Sequence, residues 1–174
     1  MIPRLETDRL ILRRRTIEDF PAYAAMWADP RVVRHFSTGP LNEEDAWTKF
    51  ARMEGYWRLA GYGFWLVEEK ASGALIGEVG AADFKRAIIP PLAGKPEFGW
   101  VLSGDAHGKG YAREAVAAAL QWAEAKFPGA TFSCIIDPSN EPSIRVAEHF
   151  GFRKERMALL AGKEVIIFHR PPNR

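Results

Sequence analysis

The apolar positions in the first third of the chain follow two different periods. Leu10–Leu12 form a continuous apolar run, which predicts a strand over residues 9–14. Further on, apolar side chains recur at intervals of three and four, the spacing of a helix with one buried face. This spacing predicts a first helix that ends at Asp29-Pro30 and a second helix over residues 42–59. On the first helix Ile17, Phe20, Ala24 and Trp27 fall on one side, and on the second Ala46, Phe50, Met53, Trp57 and Ala60 recur at helical spacing.

The middle of the chain predicts a hairpin and then a loop. Residues 62–69 and 74–81 are strand-like and flank Lys70–Gly73, whose composition is typical of a turn. Residues 88–96 contain three prolines and predict a loop.

The second half alternates strand-like and helix-like segments. A strand, a glycine-containing turn, an amphipathic helix, a second strand and a second helix form a βαβα run. Two further strands around Ala161-Gly162 predict a closing hairpin. The predicted strands are residues 97–102, 131–136, 153–160 and 163–169, and the predicted helices are residues 110–127 and 140–150.

This order of elements predicts a mixed α+β fold with a central mixed, mostly antiparallel sheet flanked by helices. Hairpins supply antiparallel pairs, and the single βαβ unit supplies a parallel one. The length of 174 residues predicts one domain that covers residues 1–174, with its core over about residues 8–170.

Composition and charge narrow the function classes. The net charge is +2 and the basic residues are scattered, so we expect no nucleic-acid partner. Cys134 is the only cysteine, and the four histidines show no metal-ligand spacing, so we expect neither a disulfide nor a metal site. No apolar stretch is long enough for a bilayer and no signal peptide is evident, which predicts a cytoplasmic protein without a membrane partner. No dimer face is evident, and a homodimer is left open.

The turn that follows residues 97–102 carries the first candidate chemistry. Gly108 and Gly110 let the backbone turn sharply at a helix N-terminus, where free N–H groups favour a pyrophosphate. Lys109 and Arg113 could add positive charge. The alternative is a tight turn whose glycines only satisfy backbone geometry.

Two common phosphate motifs fit this turn poorly. A P-loop needs Ser or Thr after its lysine, where Gly110 follows Lys109. A dinucleotide fingerprint needs a third glycine, where this chain has Arg113, and it normally opens the first βαβ unit. Asp137, at the end of the next strand, keeps a dinucleotide as an alternative ligand.

The segment His107-Gly-Lys-Gly110-Tyr-Ala112 resembles the acyl-CoA signature of the GNAT superfamily of N-acetyltransferases, Gln/Arg-x-x-Gly-x-Gly/Ala. His107 takes the Gln/Arg place, and Gly110 and Ala112 take the small positions. Residues 140–152 resemble the Asn-x-x-Ser…Gly-Phe segment of the Rim-type ribosomal-protein N-terminal acetyltransferases. Thr7–Arg13, Asp29-Pro30, Leu75–Gly77 and the strand at residues 97–102 are similar to that branch too, so the resemblance covers nearly the whole chain.

The resemblance implies a GNAT-like fold and acetyl transfer from acetyl-CoA, as cosubstrate and without a metal, to a primary amine by direct attack. The Rim-type likeness favours a protein N-terminal α-amine as acceptor. A small-molecule amine, such as a polyamine, an amino-acid analogue or an aminoglycoside, is an alternative, as is a non-catalytic acyl-CoA-binding regulatory domain. The residues that the resemblance assigns to the cofactor are Val101, Leu102, Ser103, His107, Gly108, Lys109, Gly110, Tyr111, Ala112, Arg113, Asn140 and Ser143.

The resemblance also places the pantetheine between the strands at residues 97–102 and 131–136, with a backbone N–H near Leu102 facing the thioester oxygen. Glu97 is the candidate catalytic base, and Glu78 is a second choice. The alternative for Glu97 is a structural ion pair with a nearby Arg or Lys.

The leaving thiolate needs a proton or a hydrogen bond. Many members of the superfamily place a tyrosine four residues before the Gly-Phe pair, where this chain has Ala147. Ser143 is the candidate substitute, as a catalytic group that hydrogen-bonds the sulfur. The alternative for Ser143 and Asn140 is capping of the helix that they begin.

Overall fold

The computed structural model describes residues 2–92 and 96–172, and these residues form strands and helices in the predicted alternation. The predicted strand at residues 97–102 is confirmed at both ends. Of the predicted loop over residues 88–96, residues 93–95 lie outside the described residues. The elements are β1 Leu5–Glu6, β2 Leu10–Arg13, α1 Phe20–Ala28, α2 Pro30–Val33, α3 Glu43–Ala60, β3 Phe64–Glu69, β4 Leu75–Ala82, β5 Glu97–Leu102, α4 Tyr111–Lys126, β6 Phe132–Ile136, α5 Glu141–His149, β7 Arg153–Leu160 and β8 Lys163–Arg170.

The strands follow one another in the order β1-β2-β3-β4-β5-β6-β8-β7 in an eight-stranded sheet. β1 to β4 pair antiparallel in sequence, and β6 pairs antiparallel with β8, which pairs antiparallel with β7. β5 and β6 pair parallel, with Glu97 opposite Ser133 and Phe98 opposite Cys134. The mixed, mostly antiparallel sheet with flanking helices is therefore confirmed.

A short strand and a short α-helix were not predicted from the sequence. β1 has two residues, which is too short for an alternating pattern to show. α2 begins at Pro30, and Asp29 is its N-cap because the Asp29 carboxylate accepts a hydrogen bond from the Arg31 N–H. The Asp29-Pro30 pair that ends α1 therefore also starts a new helix, since proline is favoured in a first helical turn.

Local signals explain why α3 has its observed bounds. The Asn42 side chain accepts a hydrogen bond from the Asp45 N–H at 2.8 Å and so caps the first turn. Three acidic residues lie in that turn, next to the positive end of the helix dipole. Gly61 ends the helix in the left-handed region, with φ 74°, where a side chain would be strained.

The chain separates into two compact units: Met1–Gly80 with Trp100–Ala119, and Ala81–Gly99 with Leu120–Arg174. The core of the first unit is aromatic. Tyr23 and Phe50 are buried with their ring centroids 5.1 Å apart in an edge-to-face arrangement, a geometry worth about 0.5–1.5 kcal/mol beyond area burial. In the second unit, Phe98 packs edge-on against Phe132 at 5.2 Å. The prediction of one domain stays a prediction.

Candidate active site

The turn between β5 and α4, residues 103–110, lies where the sequence predicted it and is called the glycine turn below. Gly108 and Gly110 have φ angles of 75° and 79°, a region in which a side chain would be strained. The Gly110 carbonyl accepts a hydrogen bond from the Glu114 N–H at 3.2 Å, so the helix starts directly after this glycine. The first N–H groups of a helix have no partner within the helix, and together with the helix dipole they attract an anion.

Polar contacts tie the glycine turn to the end of β5 and to the start of β4. His107 Nε2 lies 3.0 Å from the Leu102 carbonyl oxygen, and because that oxygen can only accept, Nε2 carries the proton. The Ser103 N–H donates to the Ile76 carbonyl at 2.8 Å. Both groups are predicted cofactor residues that the structure shows bonded to the protein itself.

The cationic residues of the glycine turn and of the first turn of α4 face solvent. The Lys109 and Arg113 side chains are exposed, on either side of Gly110 and the buried Tyr111. Their charge therefore adds to that of the helix N-terminus on the first unit. The arrangement is suited to a ligand with two adjacent phosphates.

Glu97 is buried at the start of β5 in the second unit, with 5% of its surface exposed. Its carboxylate accepts two hydrogen bonds from Arg86, at 3.0 Å from Nε and 2.7 Å from Nη2. The structural ion pair that the sequence left open is therefore present. Each carboxylate oxygen has two lone pairs, so a bidentate guanidinium leaves one on each oxygen for a further hydrogen bond or a proton. The pKa of the Cys134 thiol is raised well above its usual value, mainly by burial and to a smaller extent by the charge of Glu97.

Glu78 lies in a buried polar network of the first unit. Its carboxylate accepts from the Tyr23 hydroxyl at 3.1 Å and from Arg15 Nη2 at 3.4 Å. Arg15 also donates to the carbonyl oxygens of Phe50 and Phe64. The pKa of Tyr23 is raised well above its usual value, mainly by burial and to a smaller extent by the nearby charge of Glu78. Such a sealed arrangement is typical of a structural ion pair, which weakens Glu78 as a choice of base.

The helix start at Asn140 is capped as the alternative interpretation expected. Asn140 Oδ1 accepts a hydrogen bond from the Ser143 backbone N–H at 3.2 Å. The cap uses the Ser143 main chain, so the hydroxyl takes no part in this bond. Ala147 is fully buried at the position where many relatives carry tyrosine.

The sequence analysis assigned no role to two arginines that matter here. Arg86 lies in an irregular segment without periodicity, so nothing marked it as the partner of Glu97. Arg9 donates to the Lys109 carbonyl at 2.9 Å, and the signal that could have found it was the Thr7–Arg13 motif. Within residues 2–92 and 96–172, three or more His, Cys, Asp or Glu residues nowhere gather as metal ligands could. None of the described helices has the length and apolarity to span a bilayer.

The chain is similar in sequence and in fold to several known proteins. Residues 9–153 match the model of the acetyltransferase (GNAT) domain family. The uncharacterized N-acetyltransferase p20 of Bacillus licheniformis is 26% identical over 87% of this chain and 83% of its own. A GNAT-family acetyltransferase from Bordetella pertussis has a TM-score of 0.85 and 28% identity over 97% of this chain and 99% of its own. An acetyltransferase from Agrobacterium tumefaciens has a TM-score of 0.81 and 31% identity over 97% of this chain and 94% of its own.

Two more distant structures share the fold and were solved with the cofactor. One is a ribosomal-protein alpha-N-acetyltransferase (RimL) in complex with coenzyme A, with a TM-score of 0.77 and 15% identity over 95% of this chain and 96% of its own. The other is a phosphinothricin acetyltransferase from Sinorhizobium meliloti in complex with AcCoA. It has a TM-score of 0.70 and 20% identity over 93% of this chain and 88% of its own. The family match over most of the chain carries the assignment: this chain belongs to the GNAT family of acetyltransferases and is an acetyl-CoA-dependent N-acetyltransferase.

Proposed function

We propose that the chain moves the acetyl group of acetyl-CoA onto the α-amine of a protein N-terminus, and that the glycine turn with the first turn of α4 holds the pyrophosphate. The observation that carries this proposal is the left-handed backbone of Gly108 and Gly110 directly before a helix N-terminus. Exposed Lys109 and Arg113 supply the matching charge. The other residues proposed to contact the cofactor here are Val101, Leu102, His107, Tyr111 and Ala112.

The thioester carbonyl must be polarised for attack. A backbone N–H at the end of β5 is the proposed donor. The N–H of Ser103 is already bonded to Ile76, so we assign the donor to Val101 or Leu102.

Glu97 is proposed as the group that takes the proton of the acceptor ammonium, directly or through water. The freed amine nitrogen then attacks the thioester carbon, the C–S bond breaks with its electron pair leaving on the sulfur, and the nitrogen releases its second proton to water as the amide forms. Arg86 holds both oxygens of Glu97 in place, so the carboxylate has one orientation when the proton is transferred.

Ser143 is proposed to donate a hydrogen bond to the departing thiolate, and Asn140 is proposed to contact the pantetheine arm. A hydroxyl is a weak acid, so the thiolate is stabilised by this bond and gains its proton from water. Since the Asn140 cap is bonded to the Ser143 main chain, the hydroxyl keeps its donor for the sulfur.

The choice of acceptor rests on sequence motifs. The Rim-type motifs Thr7–Arg13 and 140–152 favour a protein N-terminus. The two cofactor-bound fold neighbours act on different classes of acceptor by name, a ribosomal protein and phosphinothricin, so likeness of fold does not choose between them.

A thiol-release assay tests the acceptor and the catalytic role together. Acetyl-CoA is offered with peptides that start with different residues and, as matched controls, the same peptides blocked at the N-terminus. We expect release of free thiol only with open N-termini. Thiol release with a polyamine, an amino-acid analogue or an aminoglycoside, and none with peptides, would contradict a protein N-terminus as acceptor. No release with any amine would favour a non-catalytic domain.

A further inference from the structure

We infer that Arg9 is a positioning residue that sets the conformation of the glycine turn for pyrophosphate binding, which rests on the proposed function. Arg9 belongs to the Thr7–Arg13 segment, for which the sequence analysis found a resemblance and no role. It lies 100 residues from Lys109 and 105 from Glu114 along the chain, yet the structure joins it to both.

The guanidinium of Arg9 contacts both sides of the start of α4. Nη1 donates to the Lys109 carbonyl oxygen at 2.9 Å. Nε and Nη2 each lie 2.7 Å from Glu114 Oε2, and the Arg9 backbone N–H donates to Glu114 Oε1 at 2.8 Å. One side chain therefore ties the last peptide of the glycine turn to the first turn of the helix.

The bond to Lys109 fixes the direction of the next N–H group. In a trans peptide the carbonyl and the following N–H point in opposite directions, so a Lys109 carbonyl held toward Arg9 turns the Gly110 N–H away from Arg9. Gly110 has a wide choice of backbone angles and cannot hold this orientation unaided. A side chain outside the turn therefore supplies the constraint.

Arg9 also compensates a charge that would otherwise repel a phosphate. Glu114 lies in the first turn of α4, and its carboxylate accepts from the Thr7 hydroxyl at 2.5 Å as well as from Arg9. Burial alone would raise the pKa of Glu114, but the hydrogen bonds from Thr7 and Arg9 outweigh it and hold the pKa below its usual value. With Arg9 in place, the carboxylate is paired with a cation at the helix end where the ligand is proposed to bind.

Tyr111 holds the guanidinium from a third side. Arg9 Cζ lies 4.5 Å from the centre of the Tyr111 ring, a cation–π distance. The ring is buried, and its hydroxyl donates to the Glu69 carboxylate on β3. The guanidinium is thus fixed by a carbonyl, a carboxylate and an aromatic face, which is the geometry that an arginine provides and a lysine does not.

Calorimetric binding of coenzyme A to Arg9→Ala, Arg9→Lys and a control variant tests the inference. We expect a dissociation constant about tenfold higher in Arg9→Ala, the effect of losing one charge-assisted hydrogen bond to the turn. Arg9→Lys keeps the charge and regains less than half of the loss. Arg14→Ala is the matched control, because Arg14 forms a comparable surface pair with Glu54 at 2.7 Å. We expect its dissociation constant for coenzyme A to stay within twofold of the wild-type value.

A second readout separates positioning from general damage to the fold. S-acetylpantetheine carries the same thioester and arm as acetyl-CoA but lacks the pyrophosphate. We expect Arg9→Ala to raise KM for acetyl-CoA with kcat within twofold, and to leave kcat/KM for S-acetylpantetheine unchanged. If Arg9→Ala does not fold, Arg9→Lys carries the same comparison. Equal losses with both donors, or wild-type affinity in Arg9→Ala, would overturn this inference alone. A wild-type chain that fails to bind coenzyme A would overturn the proposed function as well.

Discussion

Each of the two compact units contains a strand glutamate paired with an arginine, and the two pairs differ in their access to solvent. In the first unit the Arg15 and Glu78 side chains are each 2% exposed. In the second unit the Glu97 side chain is 7% exposed, but its partner Arg86 is 33% exposed. Glu78 also accepts from the Tyr23 hydroxyl, whereas both hydrogen bonds described for Glu97 come from Arg86.

The difference shows what an ion pair alone says about function. A sealed pair cannot exchange a proton with a substrate or with bulk water, so its role is to satisfy buried charges. A pair with one partially exposed partner has a route for exchange, and its carboxylate retains lone pairs. The difference supports a structural role for Arg15–Glu78 and the chemical role proposed for Glu97.

The largest effect is expected when the sealed pair is broken. Arg15→Met leaves the Glu78 carboxylate buried without its cation, which we expect to lower the free energy of unfolding by about 3–5 kcal/mol. Denaturation in urea measures the change. The control is Arg14→Met, which breaks an exposed pair with Glu54 and should cost at most about 1 kcal/mol. Equal costs for the two variants would contradict the structural role of the sealed pair.

The open pair should affect turnover more than stability. Glu97→Gln removes the proposed base, and we expect kcat at neutral pH to fall about a hundredfold, as is usual for loss of a general base. Affinity for acetyl-CoA, measured by calorimetry, should change little. The control is Arg86→Leu, which breaks the same ion pair but keeps the carboxylate. Unchanged turnover in Glu97→Gln would contradict the role of Glu97 as the base.

Ser143 and Asn140 separate chemistry from capping within the second unit. Ser143→Ala keeps the backbone N–H that Asn140 caps, so we expect unchanged stability. The variant loses the hydroxyl, so we expect turnover to fall about fivefold, which corresponds to about 1 kcal/mol for one hydrogen bond. Asn140→Ala removes the cap and should cost about 1 kcal/mol in unfolding experiments. Full activity in Ser143→Ala would leave Ser143 without a catalytic role.

Glu114 forms a third pair with Arg9, the most exposed of the three pairs, and its side chain is 17% exposed against 48% for Arg9. Its pKa lies below the ordinary value of 4.5, so it adds stability above pH 4.5 that is lost as the pH falls through the pKa of the folded state. We expect Glu114→Gln to be less stable than the wild type at neutral pH and to approach it on acidification. Unfolding followed in urea from pH 7 downward measures this. A difference that does not change with pH would contradict the pairing of Glu114 with Thr7 and Arg9.

The sequence predicts most helices and strands of the fold but few of the side-chain contacts at the site. β5 and the helices α3, α4 and α5 were found within one residue of their observed ends, because apolar periodicity and capping residues are local signals. The two-residue β1 and the four-residue α2 are too short for any period to show.

Site partners are a different matter, because a pairing such as that of Arg9 with Glu114 spans 105 residues and leaves no local trace. Arg86 is only 11 residues from Glu97, but it lies in a segment without regular structure. The glycines of the turn were found because a left-handed backbone favours that residue type.

The proposed function requires the chain to bind acetyl-CoA in preference to a dinucleotide. Calorimetric titration of the wild-type chain with acetyl-CoA, using NAD⁺ as the matched control, tests it most directly, because both ligands carry a pyrophosphate linked to adenosine. We predict one acetyl-CoA bound per chain and no measurable heat from NAD⁺. Binding of NAD⁺ in place of acetyl-CoA, or of neither ligand, would contradict the account.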